Sequence, residues 1–139
     1  MYTPQQRFVS GVSSELFVAH KLTELGYEVF LPVMTQSKVD FLVMKDSRVL
    51  KVQVKKASWS TTHDFQYLQA RIHGKSKRDP SKFYTADDVD YFAITDNNRV
   101  WWIPYNEIGH QTSVCLDSTN PKYKPQTKYD AKKWILNER

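Results

Sequence analysis

The sequence has little cysteine, little glycine and no long apolar run, and each scarcity excludes something. Its single cysteine, Cys115, has no second cysteine to pair with, which excludes an internal disulfide. Only four glycines argue against a low-complexity chain, and no run of about eighteen apolar residues exists to span a membrane. Residues 1–8 also lack the basic and then apolar order of a signal peptide. We therefore expect a non-secreted, cytoplasmic or otherwise intracellular protein without membrane segments.

What the chain does have is aromatic side chains and a moderate excess of positive charge. Four Trp, eight Tyr and seven Phe in 139 residues are enough for one well-packed domain. Lysine and arginine exceed the acidic residues by 20 to 15, a net charge of +5. Such a balance is compatible with a nucleic-acid partner, although many proteins without one share it.

A helix is predicted from Thr3 to Gly26. Thr3 precedes Pro4, the order of an N-cap residue and a first-turn proline, and Gly26 suits the left-handed end of a helix. Glu15 lies on the apolar stripe of this helix, where a carboxylate normally has a partner or a metal; alternatively it reaches solvent at the edge of the stripe. The spacing predicts that the buried stripe consists of Phe8, Val12, Ala19, Leu22 and Leu25.

Seven strands are predicted after this helix, and no element is predicted between Ser58 and Asp64. A short helical turn or loop is expected over Tyr84–Asp90, and a terminal helix over Asp130–Leu136 with Trp134 and Ile135 as anchors. The fold class is therefore α+β or mixed α/β, a central mixed β-sheet with the N-terminal helix on one face. The predicted strands are Tyr27–Leu31, Val39–Met44, Val49–Ala57, Phe65–Ile72, Tyr91–Thr95, Val100–Ile103 and Ser113–Leu116.

Polar side chains interrupt two apolar runs between Val39 and Lys56. Asp40 stands at the start of the first run, and the second run carries Gln53 and Lys55. Because side chains alternate along a strand, Gln53 and Lys55 share one face. A carboxylate, an amide and an ammonium group are thus expected to converge on one place.

This combination suits a divalent metal ion and a phosphodiester. Mg²⁺ prefers hard oxygen ligands, which the Asp40 carboxylate, the Gln53 amide and the Val54 backbone carbonyl can supply. Lys55 would orient the attacking water or stabilise negative charge at the phosphorus. The alternative makes Asp40 an ordinary residue at the start of a strand, and Gln53 and Lys55 the solvated face of an edge strand.

Several segments resemble the core of the PD-(D/E)XK nuclease superfamily: GVSSELFVAHKLTELGYEVFLP, VDFLV and LKVQVKKAS, with VDYFAI and VWWIP similar to its closing strands. The resemblance implies a restriction-endonuclease-like core. It also implies that Asp40 is the metal-binding aspartate, Lys55 the motif lysine and Glu15 the helix carboxylate of the resolvase-like branch.

The sequence departs from the motif at two positions. Gln53 stands where the superfamily usually has Asp or Glu, and Val39 replaces the proline. A neutral amide binds Mg²⁺ less strongly than a carboxylate, so either Glu15 compensates as a metal ligand or activity is lost. The Gln-X-Lys core resembles some restriction enzymes and the homing endonucleases of group I introns, which remain active.

The resemblance implies an endonuclease that uses Mg²⁺, or Mn²⁺ in its place, to hydrolyse phosphodiester bonds at specific sites in double-stranded DNA. It is most like an intron-type homing endonuclease, with a Holliday-junction resolvase or a restriction-type endonuclease as alternatives. A DNA-binding module that keeps the fold without the chemistry is the alternative of another class. We expect residues 1–116 to form the nuclease core and 117–139 an extension for oligomer or DNA contacts. Because cutting both strands calls for two copies, we expect a homodimer or homotetramer.

Two groups of residues are candidates for DNA contacts. Gln66, Gln69 and Arg71 on one predicted strand carry the side-chain types that read base edges. A basic loop would neutralise phosphates, although charged runs are usually solvated surface. The loop contains Lys75, Lys77, Arg78 and Lys82.

Overall fold

The computed structural model describes residues 3–34, 37, 39–73, 84–123 and 131–136. Two α-helices, eight strands and a 3-10 helix follow one another in these residues. In chain order they are α1 (Pro4–Glu24), β1 (Glu28–Phe30), β2 (Phe41–Lys45), β3 (Arg48–Lys56), β4 (Ser58–Thr62), β5 (Phe65–Arg71), β6 (Tyr91–Thr95), β7 (Val100–Pro104), α2 (Tyr105–Ile108), β8 (Ser113–Ser118) and the 3-10 helix (Ala131–Trp134).

Helix α1 begins and ends where the sequence predicts. The Thr3 hydroxyl accepts from the Gln6 N–H at 3.1 Å, and the Gln6 side chain accepts from the Thr3 N–H at 2.7 Å. This reciprocal capping box satisfies two N–H groups that the first turn of a helix leaves unpaired. At the other end Gly26 has a φ of 91°, a left-handed conformation that costs glycine little.

The predicted buried stripe of α1 is correct only in its second half. Leu22 is buried together with Ser14 and Val18, whereas Phe8 is 71% exposed and Val12 is 38% exposed. The prediction is wrong at Phe8 and Val12 because the sheet covers the helix only from about Ser14 onward, and helical spacing cannot show where that cover ends. Among the described residues, no helix is both long and apolar enough to cross a lipid bilayer.

The central sheet has five strands in the order β1-β2-β3-β6-β7. Neighbouring strands are antiparallel except β3 and β6, which are parallel, so the sheet is mixed as predicted. Helix α1 packs on one face through Val18 and Leu22 against a group of side chains that share that face. The group consists of Phe41, Val43, Val52, Val54, Ala93, Val100 and Trp102.

The other face of the central sheet packs against a smaller sheet in the order β4-β5-β8. Strands β4 and β5 form a tight hairpin through His63 and Asp64, which both have positive φ. The sequence does not predict β4 because every residue in Ser58–Thr62 is exposed, which leaves no alternation of apolar side chains to detect. The shared core of the two sheets includes Leu68, Ala70, Phe92, Ile94, Trp101, Ile103, Val114 and Leu116.

The C-terminal segment forms a short 3-10 helix, Ala131–Trp134, instead of the longer helix predicted there. Ala131 is fully buried, and Trp134 and Ile135 pack against the core, as expected of anchors. Ile135 also forms a bridge to Trp101 of β7. The described part of this segment is therefore joined to the central sheet.

Two glycines, one within α1 and one just after it, should respond oppositely to alanine. Gly26→Ala is expected to lower the free energy of unfolding by about 1–2 kcal/mol, because a Cβ disfavours the left-handed conformation at a φ of 91°. Gly11 lies in the exposed part of the helix, where a methyl group would meet nothing within 4 Å beyond the neighbouring helix backbone. Gly11→Ala should therefore raise the free energy of unfolding by about 1 kcal/mol. Urea unfolding measures both, and a shift of the two variants in the same direction would contradict these expectations.

Candidate active site

Asp40, the residue just before β2, is held to the middle of β3 by two hydrogen bonds. Its backbone N–H donates to the Val52 carbonyl at 3.0 Å, and its Oδ2 accepts from the Val54 N–H at 2.7 Å. The second bond turns the carboxylate across the end of β2 and onto the neighbouring strand. Asp40 therefore lies beside the stretch of β3 that carries Gln53 and Lys55, as the sequence predicts.

Glu15 of α1 reaches the same place and shares a hydrogen bond with Asp40. Burial raises the pKa of Glu15 to about 7, and the charge of Asp40 and the hydrogen bond to it act in the same direction. Burial also raises the pKa of Asp40, against the lowering effects of the Val54 N–H, Glu15 and Lys55. The two carboxyl groups therefore titrate as a pair, and Glu15 is still partly protonated near neutral pH.

A cleft of about 400 Å³ opens beside these two carboxyl groups. Glu15 and Asp40 both line it, between helix α1 and the segment that joins β1 to β2. Most of the other lining side chains are apolar, including Phe8 and Met34. An incoming ligand can therefore reach the carboxyl pair from this side.

Lys55 lies on the face of β3 that is turned away from helix α1, because Val52 and Val54 occupy the face toward the helix. Its Nζ donates to the Tyr84 hydroxyl at 3.2 Å and lies 4.8 Å from the centre of the Tyr84 ring. Burial lowers the pKa of Lys55, while the charge of Asp40 opposes that effect. The lysine is thus partly withdrawn from water and electrostatically coupled to Asp40.

Gln53 shares the face of Lys55, and its Oε1 atom is buried with no hydrogen-bond partner in the described part of the chain. Buried polar atoms normally have a partner, so this amide oxygen is free to accept a ligand without giving up a hydrogen bond within the described residues. The Val54 N–H points from β3 toward the side on which β2 lies, at a position just before β2 begins. Because the N–H and C=O of one strand residue point to the same side, the Val54 carbonyl is directed to the end of β2 near Asp40.

The oxygen atoms of this site fit a hard divalent cation. Glu15 and Asp40 supply carboxylates, Gln53 an unsatisfied amide oxygen and Val54 a backbone carbonyl. Mg²⁺ commonly takes one or two carboxylates and completes its shell with carbonyls and waters. Within the described ranges no three His, Cys, Asp or Glu side chains form a metal-binding group, so the neutral oxygens would have to contribute.

The structure separates the strand residues predicted to contact DNA. Gln69 and Arg71 are exposed and, two apart on β5, share one face of the smaller sheet. Gln66 lies at the start of the strand, where its backbone is held by Thr119 and Ser118, and it alternates to the other face. The basic residues Lys75, Lys77, Arg78 and Lys82 lie outside the described residues.

Tyr84 is the site residue that the sequence analysis missed. It lies in an irregular segment before β6, 29 positions after Lys55 in the sequence, and the two meet only because β3 and β6 pair side by side. Burial, and then the charges of Asp40 and Asp88, raise the pKa of Tyr84, so its hydroxyl keeps its proton at neutral pH. No local pattern in the sequence marks such a contact.

Comparisons with known proteins bear on the family and the fold. Residues 9–136 match the sequence profile of a family described as PD-(D/E)XK endonuclease. The chain is 35% identical to Protein 5.3 of Escherichia phage T7 over 115 residues, which cover 83% of this chain and 94% of that protein. It is also similar to a solved bacterial homing endonuclease, I-Ssp6803I, with a TM-score of 0.67 and 17% identity, covering 91% of this chain and 86% of that one. At this identity the structural likeness concerns the fold.

The metal-free protein should lose stability as the pH rises. The pKa of Glu15 is raised from 4.5 to about 7 by folding, so between these values the folded protein binds a proton that the unfolded chain has released. The free energy of unfolding should therefore fall as the pH increases through this window. Urea unfolding in EDTA at about pH 5 and pH 8 measures the change.

The matched variant is Glu15→Gln, which cannot ionise and should show a smaller fall over the same pH range. Glu28→Gln, which removes an exposed carboxylate on β1, serves as the control and should follow the wild-type dependence. An identical pH dependence for wild type and Glu15→Gln would show that Glu15 holds no such proton.

Proposed function

The chain belongs to the PD-(D/E)XK endonuclease family, and from that premise we propose that it is a metal-dependent, site-specific endonuclease acting on double-stranded DNA. The observation that carries the proposal is that Asp40 interacts with both Glu15 and Lys55, while Gln53, two positions before Lys55 on the same strand, has an unsatisfied buried amide oxygen. Such a set of groups suits phosphodiester hydrolysis, which needs charge neutralisation and an activated water.

Mg²⁺, or Mn²⁺ in its place, is the proposed cofactor. Asp40, Gln53, the Val54 carbonyl and Glu15 would hold it. When bound, a divalent ion neutralises negative charge on the phosphate and lowers the pKa of water. The buried Gln53 oxygen supports this set because a neutral ligand without another partner loses no existing hydrogen bond when it binds a cation.

The proposed roles of the protein groups follow from their surroundings. The Val54 N–H orients Asp40, so this carboxylate is in place before substrate arrives. Glu15, whose pKa is about 7 in the metal-free protein, would give up its proton when it binds the cation. The Lys55 ammonium would stabilise the negative charge that develops as water attacks the phosphorus.

Gln69 and Arg71 are the proposed contacts to DNA bases, because both are exposed on the same side of the smaller sheet. An antiparallel ribbon can enter the major groove, where amide and guanidinium groups recognise base edges. Gln66 would contribute from the start of β5. Lys75, Lys77, Arg78 and Lys82 remain proposed phosphate contacts on the grounds of sequence.

The homing endonuclease similarity favours linear duplex DNA as the substrate over a four-way junction. The replacement of the usual acidic residue by Gln53 favours a different candidate, a DNA-binding module without catalysis. These two proposals differ in whether bound DNA is cut. One experiment can therefore separate them.

With Mg²⁺ or Mn²⁺, the protein should cut members of a randomised-site duplex library. Asp40→Asn and Lys55→Met should bind the selected site but cut it at least about a hundredfold more slowly, because each removes one charge at the reacting phosphate. Single-turnover cleavage and filter binding in EDTA measure the two properties. Asp46→Asn, at the exposed turn between β2 and β3, is the matched control and should cut as wild type does.

Each contrary outcome identifies a different alternative. Equal cleavage by wild type and both site variants would reject these residues as the active site. Binding without cleavage in either metal would identify the DNA-binding module. Cleavage of a four-way junction alone would identify a resolvase.

A homodimer is proposed because one copy has one such site and two strands must be cut. The support is an apolar surface of α1 and the segment after β1. Exposed apolar side chains that lie together commonly mark contacts between proteins, and a two-fold arrangement would allow each copy to cover the other. The surface consists of Val9, Leu16 and Val33, which are 60–100% exposed and do not line the cleft beside Glu15 and Asp40. A homotetramer, and contacts through residues 117–139, would add to this pairing.

The double variant Val9→Glu, Leu16→Glu should halve the mass measured by sedimentation equilibrium, since two buried charges per copy oppose association. Both side chains are exposed in one copy, so folding should be unaffected. Val49→Glu, which changes an equally exposed valine at the far end of β3, should leave the mass unchanged. A monomeric wild type, or an unchanged mass for the double variant, would reject this surface as the interface.

A further inference from the structure

Lys55 has one described hydroxyl partner, and that partner is itself unusually well fixed. The long lysine side chain has four rotatable bonds and is flexible unless its ammonium is held. Here the ammonium donates to the Tyr84 hydroxyl at 3.2 Å while the ring of Tyr84 lies beneath it at 4.8 Å. Tyr84 therefore restricts both the direction and the position of the ammonium.

The backbone of Tyr84 is held at both its N–H and its carbonyl. The N–H donates to Nδ1 of His73 at 3.2 Å, and the carbonyl accepts from the Tyr105 hydroxyl at 2.9 Å. His73 is only 4% exposed, and its Nε2 lies 2.5 Å from the Gly109 carbonyl. Because a carbonyl only accepts, Nε2 carries the proton and Nδ1 is the acceptor, which matches the Tyr84 bond.

The ring of Tyr84 is also enclosed. The His73 ring centre lies 5.8 Å away, and Phe92 packs edge-on at 6.0 Å. Phe92 is buried on β6 directly opposite Gln53 of β3. A tyrosine in an otherwise irregular segment is thus attached to the same strand pair that carries the site.

We propose that Tyr84 is a positioning residue that holds the Lys55 ammonium at the reacting phosphate, with His73 and Tyr105 fixing Tyr84. This rests on the proposed nuclease function. Holding a charged group in its productive place before substrate arrives contributes to rate, while affinity for DNA depends on contacts elsewhere. The hydroxyl of Tyr84 thus affects the chemical step and not binding.

Tyr84→Phe tests the proposal because it removes the hydroxyl and keeps the ring. The single-turnover cleavage rate should fall about tenfold, the usual effect of losing a hydrogen bond to a charged group. The dissociation constant for DNA in EDTA should change less than about twofold, because the proposal gives the Tyr84 hydroxyl no contact with DNA. The Mg²⁺ concentration for half-maximal rate should also stay constant, whereas Gln53→Ala should raise it.

Two further variants complete the test. Tyr105→Phe, which frees the Tyr84 carbonyl, should reduce the rate in the same direction by a smaller factor. Tyr123→Phe removes another tyrosine hydroxyl that donates to a carbonyl, that of Cys115, and should leave the rate unchanged. Thermal melting identifies any variant that fails to fold. If Tyr84→Phe fails to fold, the cleavage rate of Tyr105→Phe tests the proposal instead.

A wild-type rate for Tyr84→Phe would overturn the proposal, as would an equal loss of rate and DNA affinity or a raised Mg²⁺ requirement. A readout independent of cleavage separates this failure from failure of the nuclease function. Acylation of the Lys55 amine by an activated ester, followed by mass spectrometry, should be faster in Tyr84→Phe than in Tyr123→Phe because the amine is no longer held. Equal labelling would overturn the Tyr84 assignment even if wild type cuts no DNA.

Discussion

The hydrogen bond from the Val54 N–H to the Asp40 carboxylate is the contact on which the arrangement of the site depends. It is 2.7 Å long and joins β3 to the residue just before β2. A carboxylate takes the place of the next backbone partner in the ladder, so Asp40 is fixed by the sheet itself. Glu15 from one side and Lys55 from the other then interact with a carboxylate whose position is already set.

These interactions bring polar groups together at a cost to stability. Glu15 and Asp40 both have raised pKa values, chiefly through burial, and the pKa of Lys55 is lowered for the same reason. The Gln53 oxygen adds an unsatisfied acceptor among the described residues. Packing on both faces of the central sheet must offset these costs, as expected where a site is arranged for a ligand and not for maximum stability.

Local signals were sufficient for much of the fold. The cap at Thr3, the left-handed Gly26 and the apolar runs of β2, β3, β6 and β7 depend on neighbouring residues, and the structure confirms them. The predictions that were wrong or missing concern contacts with elements that lie elsewhere in the chain. Phe8 is apolar and correctly spaced, yet no described element packs over it sufficiently to bury it, and the wholly exposed strand β4 forms because β5 pairs with it. Neither result can be obtained from periodicity, because periodicity describes one element and not its neighbours.

Which groups could form the site follows from the amino-acid sequence alone. Alternation along β3 puts Gln53 and Lys55 on one face, the helical position of Glu15 puts it on the apolar stripe or at its edge, and the resemblance of the motif indicates the family. How these groups interact depends on tertiary packing. The raised pKa values of Glu15 and Asp40, the unsatisfied Gln53 oxygen and the contact of Tyr84 with Lys55 depend on burial and on distances between residues far apart in the chain. Those quantities exist only after α1, β3 and β6 have packed, because electrostatic interactions depend on the separation and solvation that packing creates.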